Sequence, residues 1–293
     1  MKSPKLLLIA LSFLFSCENE RPRPITDDLV ALEISQCLVP VSNTTFDIIT
    51  WNVKEFPLRE DNTIKALADI IKKQNADVIA LQELDKTSDL EQLLNYLEGW
   101  DGALFDEGNL DLGFIYKKNE AAIIGPLIPF YEDRFSPFPR APVMVTVRHT
   151  SGMELKLINI HLKCCGGAEN EARRREASQL LKTYVDTNLP NEPVIVLGDF
   201  NDLIVEENEV DNVFANFISD SLDYRFADME IALNQADAWS YPSWPSHIDH
   251  ILITNELFDK VAGTETLVLD KCDDRYSNVI SDHRPLQIRL NTQ

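Results

Sequence analysis

Apolar residues follow two kinds of pattern along the chain from about residue 45 onward. Ile64, Leu67, Ala68 and Ile71 have the i, i+3, i+4, i+7 spacing of an amphipathic helix. Helices are also predicted over 90–97, 169–185 and 210–218. Short aliphatic runs predict strands at 46–53, 77–81, 112–116, 121–127, 141–147, 155–161, 194–197, 248–253, 267–269 and 286–290. Because several strands follow one another with few helices between them, antiparallel pairing in a mixed sheet is favoured over a doubly wound parallel sheet.

The strand predicted at 194–197 ends abruptly in the sequence Gly-Asp-Phe-Asn. Side chains two residues apart on an extended chain can share one face, so Asp199 and Asn201 are placed to act together. A carboxylate and a neutral amide at this spacing can hold an attacking water and a phosphate oxygen without a second negative charge beside the anion. Read with Ser-Asp-His at 281–283, the pattern indicates phosphate-ester hydrolysis.

Polar side chains also follow or begin the other predicted strands. They are Asn52, Glu83, His161, Asp249, His250, Asp282 and His283, and they include three of the five histidines of the chain. Taken singly, each is explained by a turn cap, a solvated loop residue or a structural histidine. Together they supply oxygen ligands for a divalent cation, a carboxylate to orient water and imidazoles to move protons. The set therefore predicts metal-assisted phosphoryl transfer.

Length and charge limit the class of protein. With 293 residues and 44% apolar content, the chain can bury a large core in one large domain or two small ones, and no linker interrupts its middle. Asp and Glu number 48 against 27 Lys and Arg, which gives a formal net charge of −21. Such a surface repels polyanions at long range and argues against a protein that merely coats nucleic acid. A local cation site still allows capture of a phosphate.

The first 17 residues are a predicted targeting segment, in which Lys2 and Lys5 precede an apolar run too short to span a membrane. The run closes on Leu-Phe-Ser-Cys, which resembles the lipobox of bacterial lipoproteins and makes Cys17 the lipidated residue. An ordinary secretory signal is the alternative. Both interpretations take the protein out of the cytoplasm, and the first anchors it to a membrane. Residues 18–44 are then a tether and N-terminal extension before one domain over 45–293.

If Cys17 carries lipid, four cysteines remain for pairing: Cys37, Cys164, Cys165 and Cys272. Direct pairing of the neighbours Cys164 and Cys165 would strain the intervening peptide, so bridges from these two to Cys37 and Cys272 are favoured if any form. A zinc site that includes His161 is a further alternative, although the spacing fits no common zinc pattern.

Two other groups have two interpretations each. The arginines at 173–175 form either a basic lip for phosphates or i, i+4 ion pairs with Glu169 and Glu171, and the surface pairs are favoured. Trp239, Tyr241 and Trp244 either stack bases or touch lipid, or else they pin a proline-rich loop, which is favoured.

Six short motifs occur in a characteristic order: Trp-Asn at 51–52, Gln-Glu at 82–83, Ile-His-Leu at 160–162, Gly-Asp-Phe-Asn at 198–201, Ile-Asp-His at 248–250 and Ser-Asp-His at 281–283. In this order they resemble the endonuclease/exonuclease/phosphatase superfamily, which contains the deoxyribonuclease-I-like enzymes. The resemblance implies an α+β fold, a four-layer α/β/β/α sandwich of two packed mixed β-sheets flanked by helices, with residues 45–293 as the catalytic domain. It places the active site at one end of the sandwich.

The resemblance also implies ligands for a metal ion and for the substrate. Glu83 is expected to be the principal ligand of Mg²⁺ or Mn²⁺, with Asn52 and Asp282 close to the same ion. Arg140 is similar to the arginine that precedes a central strand in many members, and we expect it to bind substrate. Lys54 departs from the pattern, because some abasic-site nucleases carry an acid near this position.

Catalytic roles follow from the same resemblance. Asp199 is expected to orient and deprotonate the attacking water, and Asn201 to hydrogen-bond that water or a phosphate oxygen. His283, held in one tautomer by Asp249, contacts the phosphate as acid or base, and His161 stabilises the transition state from the other side. Which imidazole moves the proton stays open, because both act on one substrate.

The implied function is divalent-metal-dependent hydrolysis of a phosphoester. Our leading hypothesis is an extracytoplasmic nuclease or related phosphodiesterase, a monomer attached to the membrane by its lipid anchor. A phosphomonoesterase or a sphingomyelinase-like hydrolase of lipid or sugar phosphates is the alternative. A non-catalytic surface-binding lipoprotein that kept the fold is a third hypothesis, which the intact polar set disfavours.

Overall fold

A computed structural model describes residues 31–108, 110–206 and 211–293. The predicted targeting segment and Cys17 lie outside the described residues. Residues Ala31 to Gln293 form one compact unit. Among the described helices, none combines the length and the apolar character needed to cross a membrane.

The described residues form twelve strands: β1 Thr45–Phe56, β2 Val78–Leu84, β3 Trp100–Phe105, β4 Asp111–Lys117, β5 Ala121–Pro129, β6 Val143–His149, β7 Glu154–His161, β8 Val194–Asp199, β9 Tyr224–Phe226, β10 Asp249–Thr254, β11 Val261–Thr266 and β12 Leu286–Asn291. They also form six α-helices: α1 Asp61–Gln74, α2 Thr87–Tyr96, α3 Ala168–Asn188, α4 Ala215–Ile218, α5 Met229–Asn234 and α6 Tyr276–Val279. Short 3₁₀ helices occur at Ser35–Cys37, Ala236–Ala238, Asn255–Lys260 and Leu269–Lys271.

Two mixed sheets of six strands each occupy the centre of the molecule. The strand order is β11-β12-β1-β2-β4-β3 in the first sheet and β5-β6-β7-β8-β10-β9 in the second. In each sheet two central strands are parallel, β1 with β2 and β7 with β8. The carboxyl ends of these four strands and the amino ends of β10 and β12 consequently lie at one end of the sandwich, since β10 and β12 run antiparallel to β8 and β1.

Apolar side chains fill the space between the sheets because residues alternate between the two faces of a strand. Phe46 and Ile48 of the first sheet share one buried cluster with Val145 and Ile195 of the second. A second cluster lies under α3, whose buried face includes Ala177, Leu181 and Val185. Helices α1 and α2 pack against each other, and α2 contacts β2 and β3. The predicted four-layer sandwich is therefore confirmed.

Most of the predicted elements are present, and two are wrong. The predicted strand 267–269 is a turn that leads into a 3₁₀ helix, and the strand beside β12 is β11, at Val261–Thr266. Of the predicted helix 210–218, only α4 is helical within the described residues. β11 escaped prediction because its burial is only partial, with Val261 half-buried and Ala262 exposed, so it lacks an apolar run.

The predicted disulfide pairing is wrong. Cys37 is bonded to Cys272, and Cys164 and Cys165 are free thiols. The N-terminal segment docks beside the loop before α6, where the Glu33 amide donates to Asp273 at 2.9 Å. This docking brings Cys37 to Cys272, whereas the two neighbouring cysteines are exposed in the loop after β7. The described residues hold no clustered His, Cys, Asp or Glu group in which these thiols join His161.

A buried polar bridge joins the two sheets beneath the end where the strands converge. The Gln82 amide of β2 donates to Asn159 Oδ1 of β7 at 2.7 Å, and both side chains are fully buried. Asn159 in turn donates to the carbonyl oxygens of Leu81 and Gly113 at 2.9 and 3.0 Å. Because these bonds cross from one sheet to the other, they fix the relative position of β2 and β7.

Substitution Asn159→Ala is expected to lower the free energy of unfolding by about 2–4 kcal/mol, because it leaves buried carbonyl and amide groups without partners and opens a cavity. Urea unfolding followed by circular dichroism measures this change. Asn188→Ala is the matched control, because Asn188 is exposed and bonds only the Tyr184 carbonyl of its own helix. Equal free energies of unfolding for the two variants would show that the hydrogen bonds of Asn159 between the sheets do not contribute to stability.

Candidate functional site

The predicted polar residues converge at the end of the sandwich defined above. Asn52 lies in β1 and Glu83 in β2 of the first sheet, whereas His161 and Asp199 close β7 and β8 of the second. Glu83, His161 and Asp199 offer ligand atoms within 4.8 Å of one another, and so do Asp199, Asp249 and His283. Since Asp199 belongs to both groups, residues from both sheets form one continuous site.

A tight approach between β7 and β8 sets the position of Asp199. Gly198 has φ +146°, and a Cβ atom there would lie 1.9 Å from the carbonyl oxygen of Ile160, so only glycine fits. The chain then turns at Asn201, whose φ is +55°. The Asn201 amide donates to Asp199 Oδ1 at 2.9 Å, and its side chain donates to the Leu162 carbonyl at 3.2 Å. This turn fixes one Asp199 oxygen and leaves Oδ2 facing the site.

Asn52 connects the two sheets at the floor of the site. Its Nδ2 atom donates to Glu83 Oε1 at 2.9 Å and to Asp199 Oδ2 at 3.0 Å. Its oxygen accepts the backbone amide of Lys54, and the Glu55 amide donates to Glu83 Oε2. Glu83 is itself held in an uncommon backbone conformation, with φ +66°. The amide thus holds two carboxylates side by side.

His283 and Asp249 form a buried pair. The Nδ1 atom of His283 lies 2.8 Å from Asp249 Oδ2, and its Nε2 atom lies 3.9 Å from Asp199 Oδ2. Burial disfavours the imidazolium, but the Asp249 carboxylate outweighs it and raises the pKa of His283 to about 10. The Ser240 hydroxyl accepts a hydrogen bond from the Asp249 backbone amide, and the Tyr276 hydroxyl donates one to the His283 carbonyl. The ring therefore carries its Nδ1 proton toward Asp249.

His161 and Arg140 lie on the opposite side of Asp199. His161 Nε2 lies 3.5 Å from Asp199 Oδ2 and 3.9 Å from Glu83 Oε1. Burial first, and then the nearby cations Arg140 and His283, hold the pKa of His161 well below its usual range, so its ring is neutral. Both His161 Nδ1 and Arg140 Nε are buried without a hydrogen-bond partner among the described residues. Buried polar atoms without partners are costly unless a ligand satisfies them.

Asp199 is the most perturbed carboxyl of the site. Burial, and next the Asp249 carboxylate, raise the pKa of Asp199 to about 7, although His283 and Asn52 act in the opposite direction. A carboxyl group with this pKa exchanges a proton near neutral pH, which suits a general base.

Asp282 lies at the outer edge of the site and is paired with a lysine. Lys54 Nζ lies 2.5 Å from Asp282 Oδ2, with side chains that are 36% and 17% exposed. The ring of Tyr241 lies 4.8 Å from that of His283. Both Lys54 and Tyr241 lie at the site, although the sequence marks Lys54 only as a departure from the family pattern and offers base stacking by Tyr241 only as the less favoured interpretation. The position of Lys54 two residues after Asn52 was a usable signal, whereas Tyr241 comes from a loop whose path only the fold defines.

His250 does not face the site. It alternates with Asp249 along β10 and points to the other side, where Nδ1 lies 2.6 Å from Asp228 and Nε2 lies 3.0 Å from the Asp202 carbonyl. His247 contacts the same Asp228 carboxylate at 3.0 Å. Burial favours neutral groups, but the two imidazoles hold the pKa of Asp228 well below its usual range. This buried network supports the turn that carries Asn201.

The arginines differ from the favoured prediction, whereas the aromatic residues of the loop agree with it in part. Arg174 is buried and binds Asp202 at 2.8 Å, while Arg173 and Arg175 bind backbone carbonyls of neighbouring loops. The three arginines therefore hold neighbouring loops in place, and they form neither a basic surface for phosphates nor i, i+4 ion pairs. Trp239 packs on the core as expected of a pinned loop, but Trp244 is 78% exposed.

The donor set suits a hard divalent cation. Glu83 and Asp282 are partly exposed carboxylates at the rim, and the neutral His161 and the amide of Asn52 stand behind them. Carboxylate and amide oxygens are the ligands that Mg²⁺ prefers, with water filling the rest of its shell. The crowding of Glu83 and Asp199 around a single amide is the arrangement that a cation would stabilise.

A model of the Endonuclease/Exonuclease/phosphatase family matches residues 49–283. No curated protein matches the chain.

Solved structures share the fold at low sequence identity. D. rerio TDP2 complexed with a single-strand DNA product has a TM-score of 0.64 at 15% identity, covering 85% of this chain and 100% of that one. The human Nocturnin catalytic domain with bound sulfate has a TM-score of 0.62 at 21% identity, covering 86% and 94%. A family protein from Bacteroides thetaiotaomicron has a TM-score of 0.61 at 17% identity, covering 85% and 98%.

At these identities the structures establish the fold alone. The family match spans most of the chain, and its range, 49–283, includes the site residues from Asn52 to His283. The chain belongs to the endonuclease/exonuclease/phosphatase family, whose members are phosphoric ester hydrolases.

Proposed function

We propose that this protein is a divalent-metal-dependent phosphodiesterase, and specifically a nuclease that acts outside the cytoplasm as a monomer. The observation that carries the proposal is the convergence of Asn52, Glu83, His161, Asp199, Asp249 and His283 from six separate stretches of chain into one site. Structural caps have no reason to meet in this way. A bound divalent ion would supply charge neutralisation at the phosphate oxygens, and Glu83, with Asn52 and Asp282 beside it, would hold the ion.

In this proposal Asp199 takes the proton of the attacking water. Its Oδ1 atom is fixed by the turn at Asn201, so Oδ2 is the oxygen available to the water. Its raised pKa places the carboxylate close to the optimum for proton transfer near neutral pH. Asn201 orients the water or a phosphate oxygen from the adjacent position.

The imidazoles and Arg140 stabilise charge on the substrate. His283 is an imidazolium held by Asp249, so its Nε2 proton points toward Asp199 and the reacting phosphate. Neutral His161 stabilises the phosphorane from the other side, and Arg140 contributes its unpartnered Nε donor to a phosphate oxygen. Donors fixed in advance of the reaction are the main source of catalysis in such sites.

Two observations favour a diester of nucleic acid over the other substrates of the family. The neighbour D. rerio TDP2 is described with a single-strand DNA product. In this chain Tyr241 lies beside His283, and the exposed Trp244 follows in the same loop. Aromatic side chains beside a phosphate site stack on unpaired bases.

Location outside the cytoplasm rests on the predicted lipobox at Cys17 and on the disulfide between Cys37 and Cys272. Disulfides persist in oxidising compartments and are rare in the cytosol. We propose a lipoprotein anchored by its N-terminus, with the folded unit outside the membrane.

Asp199→Ala is expected to lower kcat/KM for diester hydrolysis by at least ~100-fold because the base is lost, and urea unfolding checks that the fold is retained without the hydrogen bond between Asp199 and Asn201. The full-length protein in detergent is assayed with Mg²⁺ or Mn²⁺ against plasmid DNA, bis(4-nitrophenyl) phosphate and 4-nitrophenyl phosphate, each with a chelator control. Asp237→Ala, which removes a fully exposed carboxylate, is the matched control.

The same assay separates the alternatives. Preferential monoester turnover supports a phosphomonoesterase, and a further assay with sphingomyelin vesicles identifies a lipid hydrolase. Absence of turnover on every substrate, together with absence of metal binding, supports a binding protein that kept the fold. Full diester activity in Asp199→Ala would remove Asp199 from the mechanism.

Glu83→Gln is expected to raise the Mg²⁺ concentration for half-maximal activity by about tenfold or more, because a carboxylate ligand becomes a neutral amide. Activity is titrated with Mg²⁺, and urea unfolding of the apoprotein checks that the fold is retained. Glu98→Gln, at an exposed position, is the control. An unchanged Mg²⁺ titration in Glu83→Gln would exclude Glu83 as a ligand.

Cys17→Ala is expected to move the protein from the membrane fraction to the soluble fraction, because lipid attachment requires the thiol. Fractionation of bacteria that express each form, followed by immunoblotting, measures the distribution. Cys164→Ala, which removes an exposed thiol of the folded unit, should stay with the membrane. Continued membrane attachment of Cys17→Ala would contradict lipidation at this residue.

A further inference from the structure

Lys54 lies beside Asp282, one of the expected metal ligands, and the backbone at Lys54 has an uncommon conformation. Lys54 and Glu55 have φ values of +44° and +42°, a conformation that side chains rarely adopt. The pairing of β1 with β2 shifts register between Asn52 and Phe56, as in a β-bulge. Bulges beside active sites redirect a side chain, and strained residues persist only where surrounding contacts hold them.

Three of the contacts that hold this bulge come from the site. The Lys54 amide donates to Asn52 Oδ1 at 3.0 Å, and the Glu55 amide donates to Glu83 Oε2 at 2.9 Å. The Lys54 ammonium then reaches Asp282 Oδ2 at 2.5 Å. The bulge is thus tied to Asn52, Glu83 and Asp282, the three residues expected to surround the metal ion.

The charged side chains of the site are negative in sum, and Lys54 reduces that negative charge. Its carboxylates are Glu83, Asp199, Asp249 and Asp282, and its permanent cations are Arg140 and Lys54. Four carboxylates against two permanent cations leave a charge of −2 when Asp199 is ionised, and the imidazolium of His283 reduces it to −1. Lys54 alone accounts for one of these two cations and neutralises Asp282 directly.

Resting on the proposed function, we infer that Lys54 is an internal competitor of the divalent ion: its ammonium holds Asp282 and lowers the affinity of the site for the metal. Metal binding then requires Asp282 to exchange its lysine partner for the ion, or leaves the ion with Glu83 and water as its main ligands. Lys54 is a positioning residue in this sense, because it acts on the metal through Asp282.

The test is metal binding without substrate. The full-length protein in detergent is titrated with Mn²⁺, and free Mn²⁺ is measured by electron paramagnetic resonance. Lys54→Met keeps the length of the side chain and removes the charge, and it is expected to tighten Mn²⁺ binding by about tenfold, since a unit charge a few ångströms from a divalent ion changes its energy by an amount of this order. Lys54→Arg retains the cation and is expected to stay within about threefold of the wild type.

The matched control is Lys73→Met. Lys73 has nearly the same exposure, 35%, and pairs with Asp69 at 2.7 Å on the surface of α1, so the change in net charge and in ion pairing is equal. Its Mn²⁺ affinity should match that of the wild type. In the Asp282→Asn background, Lys54→Met should have a smaller effect than in the wild type, because the carboxylate for which metal and lysine compete is absent.

The inference is overturned if Lys54→Met binds Mn²⁺ with unchanged or weaker affinity, if Lys73→Met tightens binding equally, or if no form binds Mn²⁺. The titration contains no substrate, so its result does not depend on which phosphoester is hydrolysed. Tighter binding in Lys54→Met together with absence of hydrolysis would support the role of Lys54 and contradict only the proposed activity.

Discussion

The site depends on the position of one sheet relative to the other, and a buried hydrogen bond between Gln82 and Asn159 fixes it. Gln82 precedes Glu83 in β2, and Asn159 lies two residues before His161 in β7. A displacement between the sheets would therefore separate the carboxylate from the imidazole that it faces. Apolar packing between sheets has little directional preference, whereas an amide hydrogen bond in the interior has a defined geometry. The hydrogen bond between Gln82 and Asn159 therefore fixes the distance between site residues of the two sheets, such as Glu83 and His161.

Burial gives the same site its chemistry. Asp199 is deeply buried between carboxylates from both sheets, and its pKa rises because water is excluded and Asp249 is near. Asp249 raises the pKa of His283 as well, and it keeps that ring protonated despite burial. A single strand pairing, β8 with β10, sets Asp199 opposite Asp249 in register. This ladder thus places Asp249 where it affects both Asp199 and His283, whose Oδ2 and Nε2 atoms lie 3.9 Å apart.

The sequence predicted what depends on local pattern and failed where distant segments meet. The helix face at Ile64 and Ile71 and the strand that ends at Gly198 follow from periodicity and from the glycine itself. The pairing of Cys37 with Cys272 depends on how the N-terminal segment docks, and the spacing of cysteines in the sequence does not predict this docking. His250 looked like a site residue because it adjoins Asp249, but alternation along β10 turns it toward Asp228. Local spacing predicts surface ion pairs for the arginines of α3, because the loops that these arginines bind are remote in sequence.

A net charge of −21 and an anionic substrate are in conflict unless positive charge is concentrated at the site. At an ionic strength near 0.15 M the screening length is about 8 Å, so distant surface carboxylates repel a phosphate only weakly. The site's four carboxylates outnumber the cations Arg140, His283 and Lys54 by one, so in the proposed function the bound divalent ion would make the local charge positive. Lys54 thus has two opposing effects, because it weakens the hold on the metal ion and adds attraction for the phosphate. Both effects follow from one ammonium group that a bulge in β1 places beside Asp282.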